Sequence, residues 1–345
     1  MHKHGGEIYA RHYRLDYSVN VNLLGCPPAV IEAAKKGAEL ADRYPDVECR
    51  ALRGPLAGKL GVRENQIVFG NGAADVIITT VLARKPRKVL LPAPTFAEYE
   101  QAARMVSAEP VYYYLKEEDN FDLTEDILDL LTPDIDMFFI CNPNNPTGRV
   151  VSRDLLEKIL DRCLQADILV VVDECFNEFL DQPASVTLVP QLERRPNLLI
   201  LKAFTKVYAM PGLRLGYGLC SNRDYLDRMA ECNQPWAVSI PAQYAGAAAL
   251  SQQEFVDRSM AILRKERAYL QKELKRLGFK LYDSRANYIF LKTDLPLKEA
   301  CGAKGILIRD CSNYVGLGPG YYRIAVRQHE DNVVLIQALE EIIHG

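Results

Sequence analysis

The sequence predicts an α/β protein: a mainly parallel sheet covered by helices on both faces, joined to a smaller α+β unit. Three observations carry this. Short apolar runs recur through the middle of the chain with almost no polar alternation, the pattern of strands buried on both faces. Amphipathic stretches of helical period separate those runs, as crossover helices do. After Pro241 the order changes to a long helix, a group of strands and a closing helix, which reads as a separate α+β layer.

In chain order, the candidate strands are QIVF (66–69), RKVLL (87–91), DMFFIC (136–141), DILVVVDE (167–174), NLLILK (197–202) and RLGYGLC (214–220). The helical segments between them include AADVIITTVLA (73–83), FAEYEQAARMV (96–106) and SRDLLEKILDRCLQA (152–166), the last opened by Ser152 as an N-cap. Beyond Pro241 one amphipathic helix is predicted to run to about Lys275. Strands FKLYD (279–283), NYIFLK (287–292), GILIR (305–309) and YYRIAV (321–326) follow, then a closing helix NVVLIQALEEII (332–343). The resulting units are 45–235, the larger, and 1–44 with 236–345, the smaller. No repeat, low-complexity tract or linker separates them, so they are expected to pack tightly with a site in the cleft between them.

Composition narrows the partners. The chain has 345 residues, 48% hydrophobic and 25% charged, with a formal net charge of -3 and a pI near 6.0. No broad cationic field is available for nucleic acid or an anionic membrane, which leaves a small metabolite. The opening MHKHGGEIYARHYRL lacks the apolar core of a signal peptide, and no apolar run approaches the roughly 20 residues of a membrane span, so the cytoplasm is expected. Nine cysteines are scattered without a C-x-x-C pair. They read as small residues in a reducing compartment, and no metal site is expected.

Four islands of polar residues fall at the ends of putative strands. FGNGAADVI (69–77) places glycines between a strand and a helix, where Gly72, Ala73 and Ala74 would turn backbone N–H groups toward an anion. CNPNNPTGRV (141–150) fixes a rigid loop that displays amides. Asp173 closes ILVVVDE, at the strand edge where ligands gather in open α/β sheets. KAFTKVYAMPGLRLGYG (202–218) sets Lys206 and Arg214 among apolar and glycine residues, where a charge is expensive to dehydrate unless something pairs with it or uses it. Taken singly, each island is equally an ordinary tight turn, a capped loop, a helix-capping acid or a snorkelling cation.

Taken together and in this order, the four islands resemble the fold-type I pyridoxal-phosphate enzymes, the aspartate aminotransferase superfamily, over nearly the whole chain. The resemblance implies a seven-stranded, mainly parallel sheet and pyridoxal 5′-phosphate as cofactor. It makes Lys206 the amine that binds the cofactor aldehyde covalently and Asp173 the acid that keeps the pyridine nitrogen protonated. Asn145 would bond the ring oxygen and Phe96 would stack on the ring. Arg214, Thr205 and the N–H groups of the Gly72–Ala74 turn would hold the phosphate. Tyr44, in RYPD, would reach the cofactor phosphate of a neighbouring subunit, which implies a homodimer.

The same resemblance assigns Arg323, in YYRIAVR, to the substrate α-carboxylate. Arg309, in GILIRD, matches the arginine that binds substrate phosphate in the histidinol-phosphate aminotransferase branch. Two guanidiniums for two anions imply a phosphorylated amino acid or amine. Within that branch the sequence is most similar to the threonine-phosphate decarboxylases of cobalamin biosynthesis, through HGG (4–6), DYSVNVNLLG (16–25), RYPD (43–46), TKVYAMPGLRLGY (205–217), SRANYIFL (284–291) and ILIRDCSNYVGL (306–317). Phe176 stands where aminotransferases of the branch have a tyrosine, which favours decarboxylation of threonine phosphate, with His4 and Asn20 helping at the mouth of the site. Serine phosphate decarboxylation and histidinol-phosphate transamination stay open as alternatives. Two departures stand out: Leu23 replaces a family proline in NLLG, and Ala203 replaces a serine, which removes one donor to the cofactor phosphate.

Overall fold

The computed structural model describes residues 5–344. Its strands are β1 (Leu15–Asp16), β2 (Ile67–Gly70), β3 (Lys88–Ala93), β4 (Glu109–Tyr114), β5 (Met137–Cys141), β6 (Leu169–Asp173), β7 (Leu198–Ala203) and β8 (Gly216–Cys220), then β9 (Lys280–Leu281), β10 (Tyr288–Lys292), β11 (Ile306–Leu307), β12 (Arg309–Asp310) and β13 (Tyr321–Ala325). Seven of them form one sheet in the order β2-β8-β7-β6-β5-β3-β4. Only β8 runs against its neighbours; the remaining pairs are parallel.

Period-two alternation explains why the strands read as unbroken apolar runs. Phe138, Ile140, Val170, Val172, Leu198 and Ile200 point into the core on one face. Their sequence neighbours Met137, Phe139, Leu169, Val171, Leu199 and Leu201 point into a second core on the other face. Helices Ala73–Arg84, Ala97–Met105 and Arg223–Cys232 supply the second core, and helix Arg153–Gln165 supplies the first. Ser152 caps the last of these as expected, accepting from the Leu155 N–H at 3.3 Å.

Three elements depart from the sequence reading. Strand β4, EPVYYY, was not among the candidates: it lies at the sheet edge beside β3, with Tyr114 half exposed, so it lacks the continuous apolar run of the central strands. The predicted helix from Pro241 to Lys275 is two helices, Ile240–Leu250 and Gln253–Arg276. The break falls at Ser251, whose hydroxyl bonds back to the Ala248 carbonyl at 3.0 Å, the competition with helical bonding that serine side chains offer. GILIR is divided between two sheets. β11 pairs in parallel with β1, and β12 joins the antiparallel sheet β12-β13-β10-β9.

The N-terminal segment is therefore fastened to the C-terminal sheet. Beyond the β1–β11 pairing, the Ala325 N–H donates to the Tyr17 carbonyl at 2.9 Å, and the Tyr17 hydroxyl donates to Asn332 Oδ1 at 3.1 Å. Among the described residues no helix is long and apolar enough to cross a membrane.

Candidate active site

The polar islands meet at one edge of the large sheet. β2, β3, β5, β6 and β7 all end there, and β8, running the other way, begins there. Gly216 sits in register between Gly70 and Ala203, and Cys141 sits beside Asp173. A cavity of about 300 Å³ opens over this edge, within the range of small-ligand sites, and Lys206, Arg214, Asn145, Phe96, Asn20, Arg309 and Arg323 all line it.

Lys206 stands on the one-turn helix Phe204–Val207, which β7 feeds directly. Two lysines four residues apart have opposite electrostatics. Burial works against the charge on Lys202, but Glu178 (2.8 Å) and Glu174 (3.1 Å) more than reverse that and hold its pKa well above the usual value. Lys206 is pushed down instead: burial first, then the nearby cationic Arg323 and, more weakly, Arg214 lower its pKa, with Cys175 and Asp173 offsetting part of the shift. Its Nζ lies 5.6 Å from the Phe176 ring centroid. An amine depressed in this way is the one suited to act as a nucleophile, whereas Lys202 is a structural ion pair.

Next to Arg214, helix Ala73–Arg84 begins at Gly72, with no side chain capping it, so its first-turn N–H groups have no intrahelical acceptor, the condition under which a helix start can take an anion. Arg214 leans over this turn; its Nη1 donates to the Pro211 carbonyl at 3.1 Å and its Nη2 to the Asn71 carbonyl at 3.4 Å. The cradle depends on missing side chains. A Cβ on Gly72, whose φ is +86°, would lie 2.4 Å from Arg214 Nη2, and one on Gly216 would lie 2.3 Å from the Ala73 nitrogen. Thr205 is buried just before the lysine.

Asp173 is buried at the end of β6 and holds one hydrogen bond on each oxygen: Tyr99 donates to Oδ2 at 2.6 Å and the Cys175 N–H to Oδ1 at 2.9 Å. Tyr99 was not among the residues expected at the site. It is three positions beyond Phe96 on the next helix, and sequence spacing carries no sign that its hydroxyl reaches an acid 74 residues away.

Two more cations line the cavity. Arg309 and Arg323 are buried, in register on β12 and β13. Arg323 donates to the Ser18 carbonyl at 2.8 Å and to Asn145 Oδ1. Asn20, with its amide oxygen turned to the guanidinium, accepts at 3.1 and 3.2 Å, so the structure places Asn20 against Arg323. Arg309 donates to the Asp310 carbonyl at 2.6 Å and to Asn313 Oδ1 at 2.8 Å. It also lies over the Tyr314 ring at 5.1 Å, a second pocket residue that the sequence reading did not single out.

Tyr44 is 79% exposed, away from the cavity, with its ring against Trp236 at 4.5 Å. His4 lies outside the described residues.

A buried lysine of lowered pKa, a buried acid closing β6 and a helix N-terminus beside an arginine, all at one edge of an α/β sheet, are the arrangement of a fold-type I pyridoxal-phosphate enzyme. The sequence profile of aminotransferase class I and II matches residues 14–339, and the chain belongs to that family. It is 38% identical over 335 residues to the threonine-phosphate decarboxylase of Salmonella typhimurium, spanning 96% of this chain and 92% of that protein. The crystal structure of the histidinol-phosphate aminotransferase from Clostridium acetobutylicum superposes with a TM-score of 0.89 at 28% identity, covering 96% of this chain and 99% of that one. The crystal structure of L-threonine-O-3-phosphate decarboxylase from Porphyromonas gingivalis gives 0.84 at 27% identity, covering 96% and 100%. The cofactor is pyridoxal 5′-phosphate, and the glycine cradle and the depressed lysine fit it.

Proposed function

We propose that this chain is a carboxy-lyase that converts L-threonine O-3-phosphate to (R)-1-amino-2-propanol O-2-phosphate, the step that serves cobalamin biosynthesis. The observation that carries the reading is the buried pair Arg309 and Arg323, two cations in register at the cavity wall. A substrate with two anionic groups matches them, and bidentate pairing is what guanidinium does best. The similarity to threonine-phosphate decarboxylases points the same way.

In this reading Lys206 would hold the cofactor, Asp173 would face its ring nitrogen, Asn145 its ring oxygen and Phe96 its ring face. Arg214, Thr205 and the Gly72–Ala74 turn would hold its phosphate. The cofactor, when bound, supplies an electron sink that weakens whichever Cα bond stands perpendicular to its ring. The protein's task is then orientation. Arg323, steadied by Asn20 and the Ser18 carbonyl, would take the carboxylate and Arg309 the phosphate, and so set which Cα bond is presented for cleavage; His4 is assigned to substrate binding from the sequence alone. When the Cα–carboxylate bond breaks and carbon dioxide leaves, Lys206 Nζ would supply the proton that replaces it at Cα. Phe176 packs edge-on to Tyr288 at 5.2 Å and offers no hydroxyl to the ring oxygen; the resemblance to decarboxylases that also carry phenylalanine there favours loss of carboxylate over transamination.

We take residues 45–235 as the cofactor-binding unit and 1–44 with 236–345 as the smaller one. The working form is a cytoplasmic homodimer in which the exposed Tyr44 reaches the partner's cofactor. The test is carbon dioxide release from threonine phosphate, serine phosphate and histidinol phosphate, run beside an amino-transfer assay with 2-oxoglutarate. Release from threonine phosphate supports the reading. Glutamate formation from histidinol phosphate without carbon dioxide decides for the aminotransferase. Serine phosphate differs by one methyl, worth about 1–3 kcal/mol, and ranks by relative kcat/KM.

A further inference from the structure

Tyr99 has no part in the scheme above, yet it is the side chain that grips Asp173. It is fully buried, stacked on Phe139 with ring centroids 4.7 Å apart and planes within 11°, and edge-on to Phe96 at 5.5 Å. Phe139 and Phe96 fix the ring, and its hydroxyl donates to Asp173 Oδ2, 2.6 Å away. Oδ1 is held separately by the Cys175 N–H. Hydrogen bonds to a carboxylate are shorter and stronger than neutral ones, and they disperse its charge.

We propose that Tyr99 is a positioning residue for the cofactor: its hydroxyl fixes the plane of the Asp173 carboxylate against the ring nitrogen and takes up part of its charge. The inference holds whichever Cα bond the enzyme breaks. The groups facing the Tyr99 hydroxyl are Asp173 from β6 and Cys141 from β5; Asp173 also faces Cys175 and Lys206. Burial, followed by the Asp173 charge, pushes the Tyr99 hydroxyl well above its ordinary range, and burial raises the Cys141 thiol. Both stay neutral, so Tyr99 remains a donor throughout the working range. Without that donor, the carboxylate is held on Oδ1 alone and its charge is less dispersed. The first change loosens the cofactor. The second raises the proton affinity of the groups the carboxylate faces.

The alternative is that Tyr99 only fills space between Phe96 and Phe139. Tyr99→Phe keeps the ring and removes the oxygen, and the melting temperature of the apo-protein reports whether packing survives. The measurements are the dissociation constant of pyridoxal phosphate, from reconstitution of the full-length apo-protein, and the pH midpoint of the visible absorbance of the lysine-bound cofactor. We expect the dissociation constant to rise about 10-fold, the weight of one hydrogen bond to a charged group, and the midpoint to move up by about half a unit. In the Asp173→Asn background the same substitution is expected to add nothing, because Tyr99 acts through the carboxylate. Unchanged affinity and midpoint in Tyr99→Phe, or equal effects in both backgrounds, overturn the proposal.

Discussion

Arg309 and Arg323 stand directly opposite each other on the antiparallel strands β12 and β13. Residues in that relation carry their Cβ atoms about 5 Å apart on the same face, and like charges there repel. Among the described residues the hydrogen-bond partners of both guanidiniums are carbonyls and side-chain amides, which position the cations without neutralising them. On the proposed function, a substrate with two anions would relieve this repulsion.

The pair therefore makes a direct prediction. Arg309→Ala and Arg323→Ala each lower kcat/KM for the phosphorylated substrate by about 100-fold or more, the cost of truncating one side of a buried charge pair. Millimolar inorganic phosphate raises the melting temperature of the wild type and loses that effect in Arg309→Ala. Arg309→Lys keeps the charge but not the fork, and recovers only part of the loss.

The glycine cradle can be tested by filling it. Gly72→Ala brings a Cβ to 2.4 Å from Arg214 Nη2 at a φ of +86°, a strain of order 1–3 kcal/mol. Pyridoxal phosphate affinity in a reconstitution titration falls about 10- to 100-fold. Gly58→Ala, on helix Arg50–Leu60 with open space at its Cβ, leaves it unchanged.

Lys206 costs the apo-protein stability. Its folded pKa lies below the unfolded value, so the penalty for burying the cation is full below the folded pKa and fades as pH rises toward about 10.4. Lys206→Met removes it. The apo-variant melts about 1–2 °C above the wild type at neutral pH for a relief of about 1 kcal/mol, and the gap narrows near pH 10 in calorimetry. The same variant binds no cofactor covalently, which mass spectrometry after borohydride reads directly.

Glu117 supplies an acid-sensitive clamp. Its carboxylate accepts from Lys280 (2.5 Å), Lys292 (2.8 Å), Tyr282 (2.7 Å) and Tyr321 (2.6 Å). The first two of these, with Tyr321, hold its pKa far below the usual carboxylate range. A depressed carboxylate contributes stability that is complete above its unfolded pKa of about 4.3 and is lost as pH falls through the folded value. Glu117→Gln is therefore destabilised at pH 7 by about 1.5–3 kcal/mol in urea unfolding, and the difference shrinks below pH 4.

Much of the site was legible because chemistry interrupts pattern. Asp173, Lys206 and Arg214 end or follow apolar runs in which a charge has no structural reason to be, and their order along the chain carries the family resemblance. β4 was missed because an edge strand does not need apolar residues on both faces. The division of GILIR between two sheets depends on a partner, β1, about 290 residues earlier in the chain, which no local window contains.

The sequence by itself determined the two-faced sheet, the lysine, the acid and the glycine turn, since each follows from residue type and from neighbours within one strand and its loop. Only the tertiary structure decided that Arg309 faces Arg323, that Tyr99 holds Asp173 and that, among the described residues, Lys202 is ion-paired while Lys206 is not. Those relations depend on register and on packing between distant elements. The separation of charges in space, which sets their energies, is fixed only when the chain has closed on itself.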